Sequence, residues 1–151
     1  MTVFPDVITI KIVNSDTNEP IPRIAVRIQL YAKQKNDYYF ILPVSDKNGR
    51  ITVTKEWLRN EIQLASRLFP MDFASSLETV YPKFELEIMD KNSVVMAVKG
   101  MSSYRDYTYR TSEYVNSIAT SENLKYFPTT KLFDINNENE IDIEITTHEM
   151  K

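Results

Sequence analysis

The chain has 151 residues, the usual size of one domain, enough to bury a core without disulfides or a structural metal. It contains no cysteine, which excludes a disulfide framework, thiolate zinc sites and cysteine nucleophiles. With 18 Lys and Arg against 21 Asp and Glu, the net charge of −3 lacks the basic excess usual in nucleic-acid binders.

Hydrophobic residues make up 42% and charged residues 26%, which fits an ordered globular chain. The two glycines, Gly49 and Gly100, are too few and too far apart for a glycine-rich phosphate loop. The N-terminal stretch alternates and does not read as a signal peptide. No apolar run approaches the ~18 residues needed to span a bilayer. These features predict a cytoplasmic protein without membrane or nucleic-acid partners.

Val7 to Val13 alternates, with Ile8, Ile10 and Ile12 on one face, and predicts a half-buried strand. Asn14 to Pro22 is rich in turn formers. Ile24 to Lys33 is a second strand, with Ile24, Val26, Ile28, Leu30 and Ala32 inward and Ala25, Arg27, Gln29, Tyr31 and Lys33 outward. A third spans Tyr38 to Val44. Asp46-Lys47-Asn48-Gly49 predicts a tight hairpin turn, since Asn and Gly tolerate left-handed φ, and Ile51 to Thr54 a short strand after it.

From Lys55 to Phe69 the period changes. Leu58, Ile62, Ala65 and Phe69 recur at helical spacing, Thr54 can cap the start and Pro70 marks the end, so an amphipathic helix is expected over an open end or face of the sheet. Lys83 to Met89 alternates again. Asp90-Lys91-Asn92 reads as a turn before a strand from Val94 to Lys99. Tyr104 to Tyr109 is expected to be extended and Glu113 to Thr120 to be a short helix. Ile141, Ile143 and Ile145 mark a last strand with Glu140, Asp142 and Glu144 outward, followed by a loose tail from His148. The expected fold is mostly β: one domain over residues 1–151, an antiparallel β-sandwich of about seven strands with one inserted amphipathic helix at about 55–69.

The first third of the chain resembles the prealbumin-like modules, also called carboxypeptidase-regulatory-like or collagen-adhesin B-type domains. The resemblance covers about residues 6–54. It rests on Val7 to Val13, Asp16-Thr17-Asn18-Glu19-Pro20-Ile21-Pro22, Ala25-Val26-Arg27-Ile28, and Ser45-Asp46-Lys47-Asn48-Gly49-Arg50-Ile51-Thr52-Val53. Arg23 departs from the pattern, standing where the family often has a small residue or glycine. The helix from Lys55 has no obvious counterpart. The resemblance implies a seven-stranded sandwich of a kind that mostly serves as a structural or binding unit, and fold alone assigns no function.

The residues themselves offer little chemistry. His148, the sole histidine, has no nucleophile or metal-ligand pattern around it. Tyr109-Arg110-Thr111-Ser112 is similar to the C-terminal tetrapeptide of the transthyretin-like hydrolases, but Thr111 replaces its glycine and the family's histidines are missing. Asp46 to Gly49 resembles the start of a calcium loop without the distal acid that such a loop needs. Glu85 and Glu87 read as surface charges on one strand. No catalytic, cofactor or metal residue is therefore assigned, and the chain is expected not to be an enzyme.

The most unusual segment runs from Ser102 to Tyr114. Tyr104, Arg105, Tyr107, Tyr109, Arg110 and Tyr114 are candidate partner-binding residues, because Tyr and Arg dominate protein-interface hot spots. A plain strand with aromatic cross-strand pairs is the alternative. Residues 134–149 hold six acids and no Lys or Arg, which suggests an edge that repels pairing, a match for a basic partner, or cross-strand pairs with Arg27 and Lys33. The expected function is protein interaction or self-association; a small-ligand or carbohydrate-binding module and a carboxylate hydrolase are the alternatives.

Overall fold

Successive side chains of a strand point to opposite sides. The run from Val7 accordingly turns Ile8, Ile10 and Ile12 one way, and in the computed structural model all three are fully buried. The structure describes residues 3–32, 37–68, 77, 80–103 and 112–150. In chain order the elements are β1 (Val7–Asn14), β2 (Val26–Ala32), β3 (Asp37–Ile41), β4 (Arg50–Thr54), α1 (Lys55–Leu68), β5 (Val80–Ile88), α2 (Lys91–Ser103), α3 (Ser112–Ala119), β6 (Thr129–Asp134) and β7 (Glu140–Thr147). A 3-10 turn at Glu122–Lys125 lies between α3 and β6.

The strands form two sheets, ordered β4-β1-β7 and β3-β2-β5-β6, in the sandwich arrangement that the alternation predicts. Every pairing is antiparallel except that of β1 with β7, which run parallel from Val7 opposite Glu140 to Asn14 opposite Thr147. The inner faces share one core. Ile8, Ile10, Ile51, Val53, Ile143 and Ile145 come from the smaller sheet and Val26, Ile28, Leu30, Phe84, Leu86 and Ile88 from the larger. Phe84 meets Phe4 edge-on at 6.1 Å and stacks on Phe133 at 5.6 Å.

Helix α1 closes this core as its spacing predicts. Thr54 Oγ1 accepts the Trp57 N–H at 3.1 Å, and Leu58 and Ile62 are buried in the core. The tight turn at Asp46–Gly49 also forms. Asp46 Oδ1 accepts the N–H groups of Asn48 and Arg50, both at 2.9 Å. Gly49 sits at φ +72°, and a Cβ there would lie 2.7 Å from the Ile12 carbonyl oxygen, so only glycine fits without a shift. However, β3 and β4 belong to different sheets, so this turn is a corner between sheets and not a hairpin joining paired strands.

Three expectations are corrected. Val94 to Lys99 is not a strand but the middle of α2. Asp90 Oδ1 accepts the Ser93 N–H at 2.7 Å, an N-cap in place of the expected turn. Val94, Ala97 and Val98, at helical spacing, then pack on a second small core of Ala25, Met89 and Ile118 outside the larger sheet. The described residues therefore hold three α-helices where two were expected, the inserted one from Lys55 and the short one at Glu113 to Thr120. Third, the tail from His148 is tied down. Phe127 N–H bonds the His148 carbonyl at 3.1 Å, Met150 N–H bonds the Lys125 carbonyl at 2.8 Å, and the His148 ring lies 4.7 Å from that of Phe127. The helix expected at Glu113 to Thr120 matches α3; the extended stretch expected at Tyr104 to Tyr109 lies outside the described residues.

Candidate functional site: a groove between strand β3 and helix α2

Among the described residues, the outward face of the larger sheet is covered only in part. At one end, α2 and α3 seat Val94 and Ile118 on Ala25 and Met89. A side-chain amide locks this end. Asn123 Oδ1 accepts the Ala25 N–H at 2.7 Å, and its Nδ2 donates to the carbonyls of Ala25 at 2.9 Å and Met89 at 2.7 Å. Asn123 thus continues the hydrogen bonding of β2 and β5 where those strands stop. Arg23 reinforces the joint from a left-handed φ of +60°. Its N–H bonds the Ser45 carbonyl, its carbonyl accepts the Glu122 N–H, and its guanidinium reaches the Thr120 carbonyl and, at 3.7 Å, Glu122. Lys125 lies 2.9 Å from the same carboxylate and holds its pKa below the usual range; burial opposes this, and Arg23 assists to a smaller extent.

Beside the covered end, Arg27, Tyr39 and Ile41 of the sheet and Asn92, Ser93, Met96 and Ala97 of α2 line an open groove of about 520 Å³. Met89 and Asp90, the bend between β5 and α2, complete it. Two large apolar side chains border it: Tyr39 is 52% exposed and Met96 71% exposed. Arg27 is ion-paired to Glu87, its cross-strand neighbour on β5, and its guanidinium carbon lies 4.9 Å from the centre of the Tyr39 ring. That distance allows a cation–π attraction that fixes the ring beside the groove. The Asp90 carboxyl is held below its usual range, chiefly by hydrogen bonds from Ser93 and to a smaller extent by the Arg27 charge.

Of the residues singled out in the sequence, Tyr104, Arg105, Tyr107, Tyr109 and Arg110 lie outside the described residues. Tyr114 is placed on α3, half-buried against the second small core, and its hydroxyl donates to the Ile41 carbonyl. It therefore anchors α3 to the end of β3, next to the groove. Glu85 and Glu87 are half-buried and engaged, Glu85 accepting from the Tyr31 hydroxyl at 3.1 Å and Glu87 from Arg27, rather than free surface charges. β2 and β7 lie in different sheets, so Arg27 forms no cross-strand pair with the acids of β7.

Sequence reasoning missed Tyr39, Met96 and Asn123 as a set because they come from three separate elements. The one available signal was the pair of adjacent tyrosines in a short strand. Among the described residues no three His, Cys, Asp or Glu side chains come together as a metal site, and no helix is long and apolar enough to cross a membrane.

No family model matches the chain, and no curated protein matches it. Among solved structures it is similar to a 9R-lipoxygenase from Cyanothece PCC8801, at 14% identity and a TM-score of 0.36. The match covers 93% of this chain but only 16% of the lipoxygenase, and a likeness at that level carries no argument about this chain's fold or activity.

Proposed function

We propose that this chain is a non-enzymatic protein-interaction or assembly module of prealbumin-like type, working in the cytoplasm and engaging its partner with the outward side of the β3-β2-β5-β6 sheet. The observation that carries this reading is the exposure of Tyr39 and Met96 in the lining of one groove that Arg27 also lines. An aromatic ring held by a cation, an adaptable thioether and a partly desolvated arginine are the side chains that anchor protein interfaces. The Tyr- and Arg-rich stretch from Tyr104 to Tyr114 supports the same reading through its composition.

A pull-down from native lysate, read by mass spectrometry, tests it. Wild type is compared with Tyr39→Ser/Met96→Ser and with Tyr107→Ser/Tyr109→Ser/Arg110→Ser. A partner held by wild type and lost in the first variant locates the surface at the groove. A partner lost only in the second moves it to the Tyr-rich stretch, and one retained by both removes this reading.

The groove volume also favours a second reading, since about 520 Å³ falls within the range of small-molecule sites. On that reading Tyr39 stacks on a sugar or other planar-faced ligand. Thermal-shift screening against sugars and nucleotides separates the two: stabilisation lost in Tyr39→Ser favours the ligand, and no stabilisation by any compound removes it.

A further inference from the structure

An asparagine side chain is attacked most readily by the backbone nitrogen that follows it when the next residue is glycine, because no Cβ shields that nitrogen. The chain has one Asn-Gly step, Asn48-Gly49, at the corner where it passes from the larger sheet to the smaller. Asn48 is exposed, so water reaches its side-chain amide. Gly49 is buried, close beside Pro20 and Ile21 of the preceding turn.

The closed corner holds this reaction back. The Gly49 N–H donates to the Asp46 carbonyl at 2.9 Å, and neither Lys47 nor Asn48 has a positive φ. That is a type I turn with Asn48 as its third residue. The ψ of that position points the Gly49 nitrogen back over the Asn48 nitrogen and away from the Asn48 side chain. Attack therefore requires Asn48 to rotate about ψ. Rotation breaks the bond to Asp46 and pulls Gly49 from the Ile12 N–H, which donates to its carbonyl at 2.7 Å. Asp46 Oδ1 resists the same motion through its bonds from the Asn48 and Arg50 N–H groups.

We propose that Asn48 is a self-modification site that loses its amide to water only in molecules whose corner has opened, and whose isoaspartate product keeps the corner from closing again. In the open state the Gly49 nitrogen gives up its proton to hydroxide and bonds to Asn48 Cγ. The side-chain amide nitrogen takes a proton from water and leaves as ammonia. The five-membered succinimide then takes up one water and opens at either carbonyl, leaving an aspartate or an isoaspartate at position 48. The aspartate keeps the main chain as it was and can rebuild the turn. The isoaspartate routes the main chain through Cγ and lengthens it by one carbon. The corner has no room for that carbon: even a Cβ on Gly49 would lie 2.7 Å from the Ile12 carbonyl oxygen and 2.8 Å from Pro20 Cβ. Arg50, which pairs with Lys11 at the start of β4, follows directly, so a marked molecule loses that end of the β1–β4 pairing.

The test incubates the whole chain in mildly alkaline buffer, folded and in denaturing urea, and follows position 48 by peptide mapping and mass spectrometry. Wild type in urea is expected to form both products there, and folded wild type to form them at least about tenfold more slowly, the ratio set by how rarely the corner opens. Asn48→Gln should abolish the products at this position. Asp46→Ala keeps the carbonyl that holds Gly49 but removes both Oδ1 bonds, and should be modified several-fold faster than wild type with unchanged circular dichroism. After removal of urea, the chromatographically separated isoaspartate form should show an unprotected Ile12 amide in hydrogen exchange, whereas Asn48→Asp should protect it as wild type does. Equal rates in folded and unfolded wild type, no product in urea, or an isoaspartate form with a wild-type Ile12 amide overturns the proposal. The comparison of folded with unfolded wild type decides even if Asp46→Ala does not fold; a folded Asp46→Ala modified no faster than wild type also overturns it.

Discussion

On β7 the outward side chains are Glu140, Asp142, Glu144 and Thr146, all exposed; on β3 they include Tyr39, half in solvent and resting beside Arg27. Both are edge strands over the same core, and their inward residues are interchangeable in kind: Ile143 and Ile145 on one, Phe40 on the other. The difference lies wholly in the residues that the core does not need. An alternating strand has half its positions free of packing duty, and those positions decide whether an edge stays alone or takes a neighbour. The same contrast separates the two outer faces. That of the smaller sheet carries Thr9, Lys11, Arg50 and Thr52 opposite one another or the β7 acids, while that of the larger sheet is part covered by helices and part open and aromatic.

The strongest way to break this contrast is to uncover the larger sheet. Asn123→Ala leaves the Ala25 N–H and the Met89 carbonyl without their buried partner, and the Ala25 carbonyl with the Met89 N–H at 3.3 Å. The expected loss is about 3 kcal/mol or more in urea denaturation. Amide exchange should quicken first at Ala25, with β1 and β7 still protected. A uniform loss across both sheets would mean that the covered end is not a separate unit of stability.

On the smaller sheet, Gly49→Ala forces a Cβ against the Ile12 carbonyl and the Pro20 side chain from a left-handed backbone. The expected cost is about 2 kcal/mol by the same denaturation assay. It should fall on β1, where Ile12 N–H bonds the Gly49 carbonyl at 2.7 Å.

A smaller effect is expected from pH. The Asp90 carboxyl is lowered by its bonds from Ser93 and, more weakly, by Arg27, so its stabilisation of α2 is fully present above the ordinary aspartate pKa and is lost as pH falls through the depressed value. The protection of the Ser93 amide, measured by NMR as its exchange relative to the intrinsic rate at the same pH, should fall only in that acid window. Asp90→Asn, which keeps a capping oxygen without the charge, should remove the pH dependence. The least effect belongs to the acidic edge itself. Asp142→Asn removes one exposed charge from the outward face of β7, and should change stability by under about 0.5 kcal/mol in the same urea assay.

Much of the fold was legible because burial writes itself as period. The isoleucines of β1 and β7 and the Leu58–Ile62 step of α1 sit where alternation and helical spacing put them. Where the reading failed, two periods competed or none was present. Val94, Val95, Met96, Ala97 and Val98 are apolar without interruption, so alternation could not be told from a helix; the deciding residue was Asp90, whose capping bond starts α2. β6 went unseen because Thr130, Lys131 and Leu132 are all exposed, which leaves an edge strand no apolar stripe to display. Asn123 is one amide in a polar stretch, and its value comes from meeting Ala25 and Met89, which lie far away in sequence. The groove belongs to the same class, being assembled from β2, β3 and α2.

The parallel match of β1 with β7 has a mechanical consequence. Because the two strands run the same way, Val7 and Thr147 lie at opposite ends of their shared ladder. A pull applied to those two residues acts along the strands and loads the whole row of hydrogen bonds at once. The antiparallel pair of β1 and β4, gripped at Val7 and Thr54, which face each other at one end, would open one bond at a time. Tension carried from β1 to β7 therefore meets the whole ladder in shear, and forced unfolding along it should need a markedly higher force than peeling β4 away.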